Sequence, residues 1–129
     1  MRDRRPDRIA ALTDVIAGAQ LDGLLLSSPA NIRYLTGFSG SSALVFVTAR
    51  REVLLITDFR YKTQVADEVG DLARVMIESQ SLWTGLWQAL PTYSHVEVAG
   101  FESAHLLHRD FQRLLDAGVD VGCRSCIAE

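Results

Sequence analysis

The sequence is poor in the residues that would let covalent or metal staples carry a fold. It holds only two cysteines, Cys123 and Cys126, both close to its C-terminal end, so a disulfide framework is excluded as the source of stability. Three histidines, His95, His105 and His108, occur without an HExxH pattern, whereas a metal-dependent hydrolase needs several His, Asp or Glu ligands converging from different elements. Basic charge is scarce as well. The formal net charge is -3, which argues against a nucleic-acid partner, since that needs a basic face. The cluster Arg2, Arg4, Arg5 and Arg8 is interrupted by Asp3 and Asp7 and reads as a solvated start. No apolar run approaches the length of a membrane span, and the first residues lack the continuous apolar segment of a secretory signal. No membrane partner is therefore expected, and the expected compartment is cytoplasmic.

Two motifs fail on spacing. Gly37-Phe38-Ser39-Gly40-Ser41 is not a nucleophile elbow, which needs glycines two residues before and two after the serine, and it lacks the lysine and glycine spacing of a phosphate loop. Cys123-Arg124-Ser125-Cys126 is a lone CxxC; without a second half-site it reads as an incidental pair rather than half a zinc site or a redox pair. His105 and His108, three apart on an expected helix, read as polar boundary positions. No catalytic residue and no metal ligand is assigned within the chain.

What is present suffices for one packed domain over residues 1–129, with 48% hydrophobic and 22% charged residues, the balance of an ordinary globular protein. The pattern is organised around residues 27–61. A polar, aromatic-bearing turn, 27–42, precedes two apolar runs, 43–47 and 53–56, whose short polar separation predicts an antiparallel hairpin. Before it, Ile9, Leu12, Val15, Ile16 and Ala19 recur at helical spacing over 6–19, with Pro6 in the first turn, and 21–26 reads as a short buried strand. A single helical turn is expected over 30–35, leaving Asn31, Arg33 and Tyr34 partly outward.

After the hairpin, Phe59, Val65, Ala66 and Val69 predict a helix starting near Asp58 and stopping at Gly70. Strands are expected at 72–77, 96–99 and 119–121, and helices over Leu82, Trp83, Leu86, Trp87 and Leu90 up to Pro91, and over 103–117. Strands alternating with helices, together with one hairpin, predict an α/β fold: a mixed β-sheet flanked by helices.

The string Asn31-Ile32-Arg33-Tyr34-Leu35-Thr36-Gly37-Phe38-Ser39-Gly40, followed after the hairpin by Thr57-Asp58-Phe59-Arg60-Tyr61, resembles the N-terminal domain of the Xaa-Pro aminopeptidase, prolidase and creatinase family. The resemblance implies a ribonuclease-H-like topology. It also implies that this chain corresponds to the non-catalytic N-terminal part of a metal-dependent Xaa-Pro peptidase, inactive by itself. The family's pita-bread catalytic domain, absent from this chain, carries two divalent ions (Mn, Co or Zn) on two aspartates, a histidine and two glutamates. Implied partners are that C-terminal catalytic domain, a second copy in a homodimer, and a proline-containing peptide substrate. Loops of this domain border the active site in the family, which makes Arg33, Tyr34, Phe38 and Ser39 candidate substrate contacts.

Asp58, Arg60 and Tyr61 are candidates at the mouth of the next helix. Their alternative roles are a cap, its ion-pair partner and half-buried packing. Trp83 and Trp87, four apart on an apolar helix, are candidate interface residues or are covered by neighbours in the same domain. A creatinase-like C–N hydrolase domain and a stand-alone interaction module remain open beside the peptidase reading.

Overall fold

The computed structural model describes residues 3–93, 95–102 and 124–128, with the backbone alone from residue 101 onward. The helix expected over 103–117, the strand over 119–121, His105, His108 and Cys123 lie outside the described residues.

Among the described residues, six strands form one mixed sheet in the order β4-β3-β2-β1-β5-β6. They are β1 (Gly23–Leu26), β2 (Ala43–Thr48), β3 (Val53–Asp58), β4 (Arg74–Glu78), β5 (Val98–Glu102) and β6 (Arg124–Ala128). β2 runs antiparallel to both β1 and β3, while β1–β5, β3–β4 and β5–β6 are parallel. The expected hairpin is thus β2–β3, with Val45 opposite Leu55.

Side-chain alternation at period two divides the strands' apolar residues between two cores. Leu24, Leu26, Val45, Val47, Val53 and Leu55 point to one face, where α1 (Arg5–Gly18), α2 (Pro29–Thr36) and α3 (Lys62–Val69) add Ile9, Ile16, Ile32, Leu35, Val65 and Val69. Leu25, Leu44, Phe46, Leu54 and Ile56 point to the other, under α4 (Leu82–Ala89) with Leu86, Ala89, Leu90, Tyr93 and Val96. Both faces of the hairpin are covered, which is why its runs are continuously apolar rather than alternating.

Several elements depart from the sequence expectations for local reasons. The expected single turn is a two-turn helix, α2. Ser28 caps it by accepting from the Asn31 N–H, with Pro29 at the first helical position, where a missing N–H costs nothing. α1 buries Ile9, Thr13 and Ile16, leaving Val15 61% exposed. Thr13 tolerates burial because its hydroxyl donates to Ala10 O at 2.8 Å.

Between β3 and α3 a 3-10 turn, Phe59–Tyr61, intervenes. It leaves Phe59 66% exposed, and Ala66 also faces out, so neither belongs to the helix's buried face. A second 3-10 turn, Gly70–Leu72, delays β4, and β5 starts at Val98 because Asp22 takes the N–H groups of Glu97 and Val98 ahead of the ladder. The described last strand is β6.

Candidate functional site

The two motif segments meet beyond the carboxyl end of β3. Gly37 ends α2 in the left-handed region, φ 81°, and its N–H donates to Arg33 O at 2.9 Å. Glycine is required there because a side chain at positive φ is strained. Phe38 then folds inward with no exposed surface, and Gly40 lies against its ring so closely that a Cβ at position 40 would collide with it. The Phe38 ring packs edge-on to Tyr61, centroids 5.5 Å apart. Phe38 is therefore a support beneath the loop, and the expectation that it meets substrate is corrected.

Three sets of hydrogen bonds tie loop 37–42 to the end of β3 and the segment after it. The Glu68 carboxylate accepts from Ser39 N–H (2.9 Å) and Ser39 Oγ (2.7 Å), and Gln64 Nε2 donates to Ser39 Oγ (2.9 Å) and Glu68 Oε1 (3.1 Å). The Ser41 and Tyr61 hydroxyls are 2.7 Å apart. Thr57 Oγ1 donates to Ser42 O at 2.6 Å. The Ser39 amide, then the Ser39 hydroxyl and Gln64, hold the Glu68 carboxyl below the usual range, with Arg33 adding an attractive charge. The Ser41 hydroxyl likewise lowers the Tyr61 phenol.

Asp58 caps the 3-10 turn by accepting from Arg60 N–H at 3.0 Å, and its carboxylate takes Arg60 Nε (2.9 Å) and Nη2 (2.8 Å) in a two-pronged pair. That pair lowers Asp58 and raises Arg60. Arg60 nevertheless keeps its side chain 65% exposed, with its guanidinium 5.3 Å from the Tyr61 ring centroid. The cap, ion-pair and half-buried roles weighed for Asp58, Arg60 and Tyr61 are the arrangement observed.

The structure brings Arg33, Ser39, Asp58, Arg60 and Tyr61 to one rim and sends the other candidates elsewhere. Tyr34, 57% exposed, turns toward α1, where Arg8 stacks on its ring at 4.2 Å and donates to its carbonyl at 2.9 Å. It borders an apolar groove of about 550 Å3 that also touches Leu12, Val15 and Leu24. Trp83 and Trp87 lie on α4, on the opposite sheet face, their ring centroids 5.5 Å apart and both half-buried against the second core.

The rim's supports were missed in the sequence. Arg5, read as part of a solvated start, donates from Nη1 to Thr36 O (2.8 Å) and Glu68 O (2.7 Å), which joins the ends of α2 and α3. Its partner Asp3, held by side-chain hydrogen bonds from Arg5, is lowered to about 2. Glu68 and Gln64 carried no signal beyond their i, i+4 spacing on one helix face.

Among the described residues, no three or more His, Cys, Asp or Glu side chains converge as a metal site. Asp58 and Glu68 are each committed to protein donors, so the rim's acids do not fit a pair of divalent ions.

Comparison with known proteins gives a consistent result. A family model described as the creatinase/prolidase N-terminal domain matches residues 8–126. The N-terminal domain of the cytoplasmic peptidase PepQ from Mycobacterium tuberculosis H37Rv is similar at a TM-score of 0.82 and 32% identity, over 99% of this chain and 95% of that one. A Streptococcus thermophilus aminopeptidase P structure is similar at 0.75 and 26%, over 95% and 90%. The fold alone is shared with a Bacillus anthracis Xaa-Pro dipeptidase, at 0.78 and 20% identity, over 96% of this chain but 33% of that one. The Bacillus subtilis (strain 168) peptidase YqhT is 36% identical over 62 residues, 48% of this chain and 17% of that protein's length. With a mixed sheet, a β2–β3 hairpin and both motif segments on one rim, this chain belongs to the creatinase/prolidase N-terminal domain family.

Proposed function

We propose that this domain is the non-catalytic N-terminal unit of a metal-dependent Xaa-Pro peptidase, and that the rim of loop 37–42 and residues 58–61 forms a wall beside the active site. The relative named as an aminopeptidase P supports the substrate class. The observation that carries the reading is the convergence of both motif segments on one surface, through the Phe38–Tyr61 ring contact and the adjoining Ser41–Tyr61 and Thr57–Ser42 bonds. A divalent pair (Mn, Co or Zn) belongs, in this proposal, to the C-terminal catalytic unit, where it would supply Lewis-acid activation of water. The rim's part is to set which peptides reach it.

Arg33 is the proposed substrate contact. It is exposed, and among the described residues its guanidinium donates no hydrogen bond, so its donors are available to a peptide carboxylate. Arg60 and Tyr61 extend that surface, with Ser39 and Asp58 setting its shape. The half-buried Trp83–Trp87 pair is the proposed contact with a second copy, and the proposed compartment is cytoplasmic.

The test is an Arg33→Ala change in the peptidase that carries this domain. The expected result is a KM for Xaa-Pro substrates raised about tenfold, as for the loss of one charge-assisted contact. Unchanged KM and kcat would remove the assignment. The 129-residue chain itself, assayed with Mn, Co and Zn, is expected to release no proline; turnover would overturn the non-catalytic reading.

A further inference from the structure

Loop 37–42 is short and contains two glycines, yet it is held from several sides. Ser39 spends its amide N–H and hydroxyl proton on Glu68 and accepts from Gln64. Glu68 is in turn fixed at its own carbonyl by Arg5, which also holds Thr36 O at the end of α2. α3 thus holds the serine directly, and Arg5 of α1 ties α3 to the end of α2 beside the loop. The Ser39 hydroxyl has donated its only proton inward, which leaves no donor for a substrate.

We propose that Glu68 is a positioning residue, the clamp that fixes loop 37–42 through Ser39, with Arg5 as its anchor, and that Ser39 serves Glu68 rather than a peptide. The clamp works through bond multiplicity. The carboxylate accepts three hydrogen bonds, and charge-assisted bonds are roughly twice as strong as neutral ones. Shortening the side chain removes all three together, while Glu68→Gln keeps one acceptor oxygen and can re-pair with Ser39.

Its consequence for catalysis rests on the peptidase reading above, so the experiment has two arms. In the 129-residue chain, amide hydrogen exchange is measured by NMR for the parent, Glu68→Ala, Glu68→Gln and Ser39→Ala. The Ser39 and Gly40 amides should exchange about tenfold faster or more in Glu68→Ala, with Glu68→Gln between parent and alanine variant. Core amides of Val45 and Leu55 should keep their rates within about twofold, which a merely structural loss would not allow. In Ser39→Ala the Gly40 amide should also accelerate, since the hydroxyl link is gone. Unchanged Ser39 and Gly40 exchange in Glu68→Ala, or equal acceleration at the core positions, would overturn the clamp.

In the peptidase carrying the domain, Glu68→Ala should raise KM about fivefold or more and leave kcat within about twofold, with Glu68→Gln restoring most of the loss. Accelerated Ser39 exchange with an unchanged KM would keep the clamp and instead contradict the wall beside the active site. A fall in kcat with KM constant would contradict a positioning role in substrate access.

Discussion

The two ends of the β2–β3 hairpin are built from similar polar side chains and held by different logic. At the turn end, Thr48 accepts from the N–H groups of Arg50 and Glu52 and donates to the Glu52 carboxylate at 3.0 Å. His95 reaches Glu52 at 2.7 Å, and Asp22 gathers the amides of Glu97 and Val98. Most of those bonds close a turn or start a strand. At the open end, bonds of similar length join α1, α2 and α3 across sequence separations of 25 to 63 residues. The turn closes on its own Thr48 bonds and is braced besides by distant residues such as His95, whereas loop 37–42 is held mainly by side chains of α3 and its neighbours, as suits a surface whose shape matters.

The comparison breaks most severely if the support under the open end is removed. Phe38→Ala empties a fully buried position and should cost about 3–5 kcal/mol by urea denaturation, with the hydrogen bonds of Tyr61 and Ser41 loosened. A loss below about 1 kcal/mol would show that the loop does not depend on its buried ring.

Backbone conformation sharpens the contrast. Gly37→Ala places a side chain at φ 81°, near Arg5 Nη1, and should cost about 1–2 kcal/mol. Arg51 at the turn end also has positive φ, 66°. Arg51→Gly there should stay within about 0.5 kcal/mol, because relieved strain and added unfolded-state entropy oppose each other. Thermal denaturation of the two variants checks the asymmetry.

What could be read in the sequence follows the same divide. The hairpin runs, the helix periodicities, the Asp58 cap and the Gly70 stop were legible because each signal spans only a few residues. The clamp was not. Nothing local distinguishes Arg5 from Arg4, or Glu68 from Asp67; only the packing of three helices against one sheet face brings Arg5 and Glu68 to loop 37–42. Val15 was misassigned because an apolar side chain marked the rim of α1's buried stripe, while Thr13, polar but satisfied within its own helix, took the inner position. Phe38 was a candidate substrate contact through the family resemblance alone, which carries no measure of burial. The glycine that lets the backbone approach its ring is what buries it.

Acid should weaken both ends. Glu68 and Asp22 are each held below their usual ranges by backbone amides first. A carboxyl lowered on folding contributes stability that is complete above its unfolded value, 4.5 for Glu68, and that fades as pH falls through the lowered folded value. Melting temperature followed from about pH 6 to about pH 3 should therefore fall less steeply in Glu68→Gln than in the parent. An identical slope would show that Ser39 and Gln64 do not favour the charged form. The smallest effect belongs to the exposed pair: Arg60→Ala should lower the melting temperature by no more than about 2 °C, as surface ion pairs contribute little. A larger loss would mean that Arg60 supports the rim rather than presents itself from it.

The measurement that tests the central claim most directly compares two exposed arginines, Arg33 near the open end and Arg50 in the hairpin turn, each changed to alanine in the proposed full-length peptidase. KM for Xaa-Pro peptides should rise about tenfold for Arg33→Ala and stay within about twofold for Arg50→Ala. Equal effects, or a larger effect at Arg50, would contradict a substrate-facing wall built from loop 37–42 and residues 58–61.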